Sequence, residues 1–273
     1  MQSTMQARSL LDVIKVFGVD NLNSMTKYPS IQTYHEINRG CVNQNLTNNE
    51  GFEDENVYIT EKIDGTNGRI IFLNDDYIIG SREELLYRKG DTFGNPSQGI
   101  VDIMRLYADM MVDKVPHDGV LRVFYGEVFG SNINGAKQYT KHRTSSVNFF
   151  DCIEFNDGFE EIIQKPTERI SIWRENGGQP FLGVTEFRNK FIDMGYAGNI
   201  VPDIGVIYGY DMPTERSETY EWLKQFENTK ACLDTEKFTG RAEGVVIRNE
   251  SRTMIRKIRF EDYEKTIRKE GRL

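Results

Sequence analysis

Lys62 is the residue whose surroundings most suggest chemistry. It ends an apolar stretch within ITEKIDGTNGRII, residues 59–71, and the turn residues Asp64 and Gly65 follow at once. Such a lysine can be a plain polar turn residue or a nucleophile. A nucleophilic lysine amine must first lose its proton, and neighbouring cations favour that loss. The chemical interpretation predicts that other basic residues converge on Lys62 and bind phosphates there, while Gly65 lets the backbone approach a ligand closely.

The KxDG pattern around Lys62 is weak on its own, because such tetrapeptides arise by chance. Its weight comes from five motifs that follow in order, each in or at the end of a predicted strand. They are GSRE at 80–83, FYGEVFG at 124–130, FFDCIEF at 149–155, AEGVVIR at 242–248 and IRKIRF at 255–260. In the last motif Lys257 and Arg259 alternate with period two, which puts them on one face of a strand. That face can be solvated, or it can aim two cations at one phosphate.

The elements that must position these motifs are mostly short strands rich in β-branched and aromatic residues. Strands are predicted at 56–60, 68–73, 76–81, 121–130, 147–155, 244–249 and 253–260, and helices at 99–114, 185–194 and 215–228. A capping box, Ser9 with Asp12, predicts a short helix that stops at Gly18. Residues 74–76 indicate a hairpin tip, and residues 38–56 are interpreted as a loop. The pattern favours an α+β fold with antiparallel sheets over a doubly wound parallel sheet.

Composition narrows the functional class. The 273 residues suit one large domain, and no apolar run approaches the length of a membrane span. The N-terminus lacks a signal peptide's apolar core, so a cytoplasmic protein is expected, with the cytoplasm of a virus-infected host cell left open. The cysteines and histidines have no metal-ligand spacing, so a zinc site or disulfide scaffold is not expected. These residues are Cys41, Cys152, Cys232, His35, His117 and His142.

Charge is distributed unevenly along the chain. The net charge is −8, which argues against a protein that holds nucleic acid by its overall charge. Residues 248–273 nevertheless contain nine basic and five acidic residues. A basic C-terminal segment on an acidic body can bind phosphate, or it can be a solvated final helix.

Taken in order, the six motifs resemble those of the covalent nucleotidyltransferase superfamily, which comprises ATP-dependent DNA ligases, RNA ligases and mRNA capping enzymes. The closest resemblance is to the type 2 RNA ligases of the phage and kinetoplastid-editing kind. It covers residues 25–268, because KYPSIQTYHEI at 27–37 is similar to that family's opening segment. The resemblance implies an α+β, ATP-grasp-like ligase domain with antiparallel sheets flanked by helices.

The resemblance also implies roles for the residues of the first three motifs. Lys62 matches the lysine that becomes covalently adenylylated, and Glu61 matches the residue that helps to recognise adenine through its backbone. Asn67 stands where DNA ligases usually have arginine, which favours an RNA ligase. Arg82 matches the arginine that contacts the nucleotide's sugar or phosphate region. Glu127 matches the glutamate expected on the ribose hydroxyls.

The later motifs supply the other implied site residues. Phe150 matches the aromatic residue that stacks on adenine, with a core position as the alternative. Glu243 matches the glutamate near the catalytic metal ion, here Mg²⁺. Arg248 stands where relatives often have lysine. Lys257 and Arg259 match the basic pair that contacts the α-phosphate, although arginine replaces the usual second lysine.

The sequence departs from the family pattern at two further places. Asp64 replaces the histidine of some type 2 RNA ligases and is typical of DNA ligases and capping enzymes. Only 14 residues follow Arg259, so neither an OB domain nor a helical C-terminal domain is expected. The expected organisation is an N-terminal extension with a short helix at 1–24 and an adenylyltransferase domain at 25–273.

The implied activity is that of an ATP-dependent RNA ligase. It would join 5′-phosphate and 3′-hydroxyl ends of RNA through a lysyl-AMP intermediate and an adenylylated 5′ end, with ATP and Mg²⁺ as cofactors. A nicked duplex is an alternative substrate, and a partner protein could supply a substrate-binding domain. An ATP-dependent DNA ligase and a GTP-dependent capping guanylyltransferase remain alternatives. A degenerate nucleotide- or RNA-binding module is the alternative from another class.

Overall fold

The computed structural model describes residues 9–53, 55–92, 99–133, 135–156, 158–234 and 240–271. The strands are β1 Gln32–Thr33, β2 His35–Asn38, β3 Cys41–Leu46, β4 Asn56–Lys62, β5 Thr66–Leu73, β6 Asp76–Ser81, β7 Leu85–Arg88, β8 Asp91–Thr92, β9 Leu121–Gly130, β10 Ser145–Phe155, β11 Asp203–Tyr208, β12 Gly244–Arg248 and β13 Ile255–Arg259. The helices are α1 Leu10–Phe17, α2 Val19–Thr26, α3 Ile100–Met111, α4 Phe159–Ile163, α5 Thr167–Glu175, α6 Val184–Asp193, α7 Arg216–Leu223 and α8 Phe260–Lys269.

The strands form a five-stranded sheet, a six-stranded sheet and a two-stranded hairpin. The first sheet has the order β1-β13-β12-β4-β11, the second has the order β10-β9-β5-β6-β7-β8, and β2 pairs with β3. The described pairings are antiparallel, except that β1 runs parallel to β13. The predicted α+β fold with antiparallel sheets is therefore confirmed.

The turn after Lys62 carries the chain from the first sheet to the second. Lys62 is the last residue of β4, and β5 begins at Thr66. A Cβ atom on Gly65 would lie 2.4 Å from the carbonyl oxygen of Val128 on β9. Glycine is therefore needed for the close approach of this turn to the second sheet, and it fixes where β4 ends.

Helices cover both faces of the second sheet because its strands are apolar on both faces. Met104 of α3 packs on one face, in a cluster with Phe124 of β9. Leu10 of α1 and Leu22 of α2 pack on the other face, against Ile71 of β5. This burial of helices and sheet faces forms the larger part of the core.

Most predicted elements are present. The predicted helices at 99–114, 185–194 and 215–228 correspond to α3, α6 and α7. The capping box is formed at α1, where the Asp12 backbone N–H donates to Ser9 Oγ at 3.3 Å and the helix ends at Gly18. The hairpin tip at 74–76 joins β5 to β6. The division of the chain at residue 24 stays a prediction, and α2 runs across that position.

The interpretation of residues 38–56 as a loop is wrong. This segment contains β3, which pairs with β2 across a tight turn at Arg39 and Gly40, where φ is 51° and 73°. Its amide-rich sequence hides the strand, because only Val42 is buried. Packing against α8, far away in sequence, stabilises the hairpin, and a local pattern cannot reveal such packing.

No helix within the described part of the chain is long and apolar enough to cross a membrane.

Candidate active site

A cavity of about 450 Å³ opens between the two sheets, beside the turn that follows Lys62. Its size is typical of pockets that bind small molecules. All ten residues that the sequence predicts for the site line it, namely Glu61, Lys62, Asn67, Arg82, Glu127, Phe150, Glu243, Arg248, Lys257 and Arg259. Four of these are cations besides Lys62, so basic residues do converge on this lysine.

Sheet register places the central groups of the cavity. Gly244 of β12 lies opposite Lys62 of β4 on one side and opposite Arg259 of β13 on the other. A Cβ atom on Gly244 would lie 2.0 Å from the carbonyl oxygen of Ile258, so only glycine fits at this crossing. Glu243, directly before it, accepts a hydrogen bond from Lys62 Nζ at 2.5 Å and lies 3.7 Å from Arg259 Nη1. One carboxylate thus bridges the lysine and the arginine.

Lys257 is a cavity cation without an ion-pair partner among the described residues. It lies two residues before Arg259 on β13, on the same face of the strand. Burial lowers its pKa, and the charges of Arg259 and Lys62 lower it further. Within the described residues its ammonium group has no carboxylate within salt-bridge distance, so it is available to an anionic ligand.

Arg259 and Arg82 are held differently. Arg259 donates two hydrogen bonds to Asp262, both at 2.8 Å, and this pairing raises the pKa of the guanidinium. Arg82 lies at the rim with a 61% exposed side chain, and its Nη2 donates to Ser30 Oγ at 3.3 Å. Arg259 is therefore fixed in the cavity, whereas Arg82 can adjust to a ligand.

Glu127 and Asn67 lie opposite each other on β9 and β5 and form the second-sheet wall of the cavity. Burial raises the pKa of the Glu127 carboxyl to about 7; the Lys62 charge opposes this, and the Glu243 carboxylate reinforces it. Asn67 Oδ1 is buried and has no hydrogen-bond partner among the described residues. Both groups can satisfy hydrogen bonds from a polar ligand.

The Glu127 carboxyl should make stability depend on pH. Its pKa is about 7 in the folded chain against an ordinary value of 4.5, so the folded state binds the proton more tightly. The stabilisation is complete below pH 4.5 and is lost as the pH rises through 7. As the pH rises through this window, urea unfolding should show the free energy of unfolding of the wild type falling by about 3 kcal/mol relative to that of Glu127→Gln. Parallel pH profiles for the two proteins would contradict the assignment, and Glu168→Gln on the exposed face of α5 is the control.

A β-bulge directs Phe150 into the cavity. The register of β10 on β9 shifts between Phe149 and Asp151, which leaves Phe150 as the extra residue. Phe149 packs in the core against Phe191 at a ring distance of 5.1 Å. Phe150 is half-buried, with its ring edge-to-face with Tyr28 at 5.0 Å. Phe150 therefore lines the cavity and also packs against the core, and stacking of its ring on a base stays a prediction.

Asp151 anchors a buried network beside Phe150. It is fully buried and accepts hydrogen bonds from Tyr28 Oη at 2.8 Å, Arg248 Nη1 at 3.3 Å and Arg252 Nε at 2.5 Å. Arg248 is thus held by a carboxylate at the wall of the cavity, and its Nε has no partner in the described part of the chain. The sequence motifs did not single out Tyr28, Asp151 or Arg252 as site residues. The sequence offered two indirect signals: Tyr28 lies in the opening segment 27–37, and Asp151 directly follows Phe150.

The Glu61 side chain points away from the cavity. Its carboxylate accepts hydrogen bonds from Thr229 Oγ1 and, at 2.7 Å, from the backbone N–H of Lys230. Burial raises the pKa of this carboxyl. The side chain therefore fixes the 229–231 segment, and only the Glu61 backbone remains for a ligand. Recognition of a base through this backbone stays a prediction.

Four carboxylate residues are among those that line the cavity, namely Glu61, Asp64, Glu127 and Glu243. Among the residues that the structure describes, no group of three or more His, Cys, Asp or Glu side chains has metal-binding geometry. Glu243 is the carboxylate closest to the reacting position of Lys62.

Comparison with known proteins agrees with this architecture. The Naegleria gruberi RNA ligase with PPi is 13% identical, with a TM-score of 0.53 over 88% of this chain and 62% of that one. A mutant of that ligase with ATP and Mn is 14% identical, with a TM-score of 0.53 over 87% and 61% of the two chains. Another mutant, with AMP and Mn, is 13% identical, with a TM-score of 0.52 over 93% and 67%. The chain thus spans about 62% of the length of the first of these structures, and the likeness shows the shared fold.

The fold matches that of RNA ligase nucleotidyltransferases. The family model described as RNA ligase matches residues 55–267, which is most of the chain. The protein therefore belongs to the RNA ligase family. No curated protein sequence matched significantly.

Proposed function

We propose that this protein is an ATP-dependent RNA ligase that joins 5′-phosphate and 3′-hydroxyl ends. The single observation that carries the proposal is the convergence of Arg248, Lys257 and Arg259 on the cavity that contains Lys62. A triphosphate is the kind of ligand that requires so many cations in one place. Membership of the RNA ligase family supports RNA as the substrate, and the ATP bound to a mutant of the similar Naegleria gruberi RNA ligase supports this nucleotide.

In the first step, Lys62 Nζ attacks the α-phosphorus of ATP. The Lys62 ammonium first passes its proton to solvent, and the neutral amine forms an N–P bond. The bond between the α-phosphorus and the bridging oxygen breaks, and pyrophosphate leaves with the bonding electrons. Lys257 and Arg259 offset the negative charge on the transferring phosphoryl group. The product is lysyl-AMP.

The remaining residues hold the nucleoside. Phe150 stacks on adenine, because the bulge presents its ring to the cavity. Glu127 accepts hydrogen bonds from the ribose hydroxyls. Arg82 closes over the sugar or phosphate region from the rim, where its side chain is exposed and makes only a long ion pair with the exposed Glu83 and a hydrogen bond to Ser30.

The site fits a divalent ion that arrives with the nucleotide. Mg²⁺ prefers oxygen ligands and is usually held by one or two carboxylates together with substrate phosphates. Glu243 supplies such a carboxylate beside Lys62. The ion would neutralise phosphate charge, and Glu243 would hold it directly or through water.

In the later steps, the AMP passes from Lys62 to the 5′-phosphate of the RNA and regenerates the amine. The 3′-hydroxyl oxygen then attacks this phosphate, the new phosphodiester forms and AMP leaves. Single-stranded ends and nicked duplexes both offer these two groups.

Replacing Phe150 by alanine should weaken ATP binding. Base–aromatic stacking contributes about 1–3 kcal/mol, so we expect about 5- to 150-fold weaker affinity. Titration calorimetry with ATP and Mg²⁺, in a Lys62→Ala background to prevent reaction, measures the change. Phe155→Ala is the control, because Phe155 lies at the far end of β10 in the core. Unchanged ATP affinity in Phe150→Ala would assign Phe150 to the core as well.

A sealing assay tests the proposed activity. RNA with a 5′-phosphate and RNA with a 3′-hydroxyl are incubated with the protein, Mg²⁺ and either ATP or GTP, as free ends and as a nick. Joined RNA with ATP alone is the expected result. Joining of DNA but not RNA would favour a DNA ligase, and transfer of GMP would favour a capping guanylyltransferase. Nucleotide binding without any transfer would indicate a degenerate binding module, and adenylylation without sealing would favour a protein that needs a partner.

A further inference from the structure

Four exposed cations form a surface outside the cavity. Lys265, Arg268 and Lys269 lie on the C-terminal half of α8, and Arg39 lies at the tip of the β2–β3 hairpin. We call these four residues the α8 basic surface. None of them is among the residues that line the cavity, so the proposed adenylylation chemistry does not use them.

The hairpin tip and the helix are in direct contact. The Lys269 ammonium donates to the backbone carbonyl of Arg39 at 3.3 Å. The Lys265 ammonium lies where it would be 3.4 Å from a Cβ atom on Gly40. Spacings of three and four residues put the three helical cations on one face of α8. The hairpin therefore brings a fourth cationic residue, Arg39, next to this end of α8.

The four cations have no ion-pair partner within the described part of the chain. Nearby Glu264 pairs with Arg241, and Glu270 pairs with Arg216. Cations in the last turn of a helix interact favourably with the helix dipole, which is one reason for basic residues at this end of α8. That effect does not explain Arg39, which comes from another element and holds a left-handed backbone with φ of 51°. In a chain of net charge −8, such a surface stands out.

The helix that carries the α8 basic surface begins beside the cavity. Arg259 lines the cavity and is the residue directly before α8. With a helical rise of 1.5 Å per residue, Lys265 to Lys269 lie roughly 9–15 Å along the chain axis from Arg259. An RNA strand with its end in the cavity can reach this distance with a few nucleotides.

We propose that the α8 basic surface binds the sugar–phosphate backbone of the RNA substrate beyond the joint. The inference rests on the proposed ligase function and names the part of the substrate that this face holds. Lysine and arginine on phosphates fix the position of a nucleic acid without reading its sequence. Binding through this surface is therefore independent of base sequence and sensitive to salt.

The test replaces the three helical cations together, as Lys265→Gln, Arg268→Gln and Lys269→Gln. The control replaces three exposed cations around α1 and α5, as Lys15→Gln, Lys165→Gln and Arg169→Gln. Binding of a fluorescent 5′-phosphorylated RNA is measured by anisotropy over a range of salt concentrations. We expect at least about tenfold weaker binding at low salt and a log–log salt slope smaller by roughly 2–3. The control should match the wild type, and Arg39→Gln alone should reduce the slope by about 1.

Labelling with ATP separates this proposal from the proposed function. Adenylylation needs no RNA, so the triple variant should take up label from α-labelled ATP as fast as the wild type and seal RNA poorly. Normal RNA affinity and slope in both the triple variant and Arg39→Gln would overturn the α8 basic surface and leave the ligase assignment intact. Weakened RNA binding in a protein that is never adenylylated would support the surface and overturn the ligase assignment.

Discussion

Lys62→Ala should abolish the joining of 5′-phosphorylated RNA but leave the final step intact. The only proposed role of Lys62 is to carry AMP from ATP to the RNA 5′ end. RNA that already bears a 5′-adenylate bypasses this role, because its reaction with the 3′-hydroxyl needs only the phosphate-binding groups. We therefore expect no product from 5′-phosphate ends with ATP, and product from adenylylated ends at a rate within about an order of magnitude of the wild type.

Two further variants make this result specific. Lys62→Arg keeps a positive charge beside Glu243, but a guanidinium stays protonated and cannot attack phosphorus, so it should behave like the alanine variant. Lys89→Ala removes an exposed lysine outside the cavity and should behave like the wild type. If Lys62→Ala joined 5′-phosphate ends with ATP, Lys62 would not be the nucleophile. If Lys62→Ala failed on adenylylated ends while remaining folded, Lys62 would have a role beyond the first step.

Asp151→Ala should be the most destabilising substitution at the site. The buried Asp151 carboxylate is shared by Arg248 and Arg252, whose side chains are 4% and 8% exposed. Its removal leaves two buried cations and the Tyr28 hydroxyl without their acceptor. Breaking a buried ion pair by removing one partner costs about 3–5 kcal/mol. Urea unfolding should show a loss of this size in the free energy of unfolding.

Asp118→Ala is the matched control for this prediction. Asp118 pairs with Arg122 at 2.7 Å, yet its side chain is 44% exposed and Arg122 keeps a second partner in Glu154. Because the Asp118 carboxylate is partly solvated and Arg122 keeps Glu154, we expect its loss to cost about 1 kcal/mol or less. Equal losses in the two variants would contradict the buried network, as would a loss below about 1 kcal/mol in Asp151→Ala. Asp151→Ala should also bind ATP more weakly. It removes the hydrogen-bond acceptor of Tyr28, and the Tyr28 ring packs against Phe150.

The local signals in the sequence predicted the groups that converge on Lys62. Strand-length apolar segments, the glycine after Asp64 and the period-two pair Lys257 and Arg259 are readable without a structure, because they depend on neighbours in the chain. The ordered motifs then predicted which residues line the site. The cavity that contains all ten residues agrees with that order.

Long-range contacts explain what the sequence did not reveal. The network around Asp151 joins residues 97 and 101 positions apart, and no local pattern links Arg252 to Tyr28. The bulge at Phe150 depends on register against β9 and leaves no mark on the sequence of β10. The β2–β3 hairpin was hidden for the same reason, since packing on α8 stabilises an amide-rich strand. Glu61 was predicted to be a site residue because it precedes Lys62. Its side chain instead binds Thr229, which is distant in sequence.

Covalent labelling of the wild-type protein tests the central claim most directly. The protein is first treated with pyrophosphate to remove any AMP already attached, then incubated with Mg²⁺ and α-labelled ATP or GTP and separated on a denaturing gel. Labelled protein is digested, and the modified peptide is identified by mass spectrometry. We predict label from ATP, none from GTP, and AMP on Lys62 through an acid-labile phosphoramidate. AMP on another residue, or no label in a folded protein that binds ATP, would contradict the account.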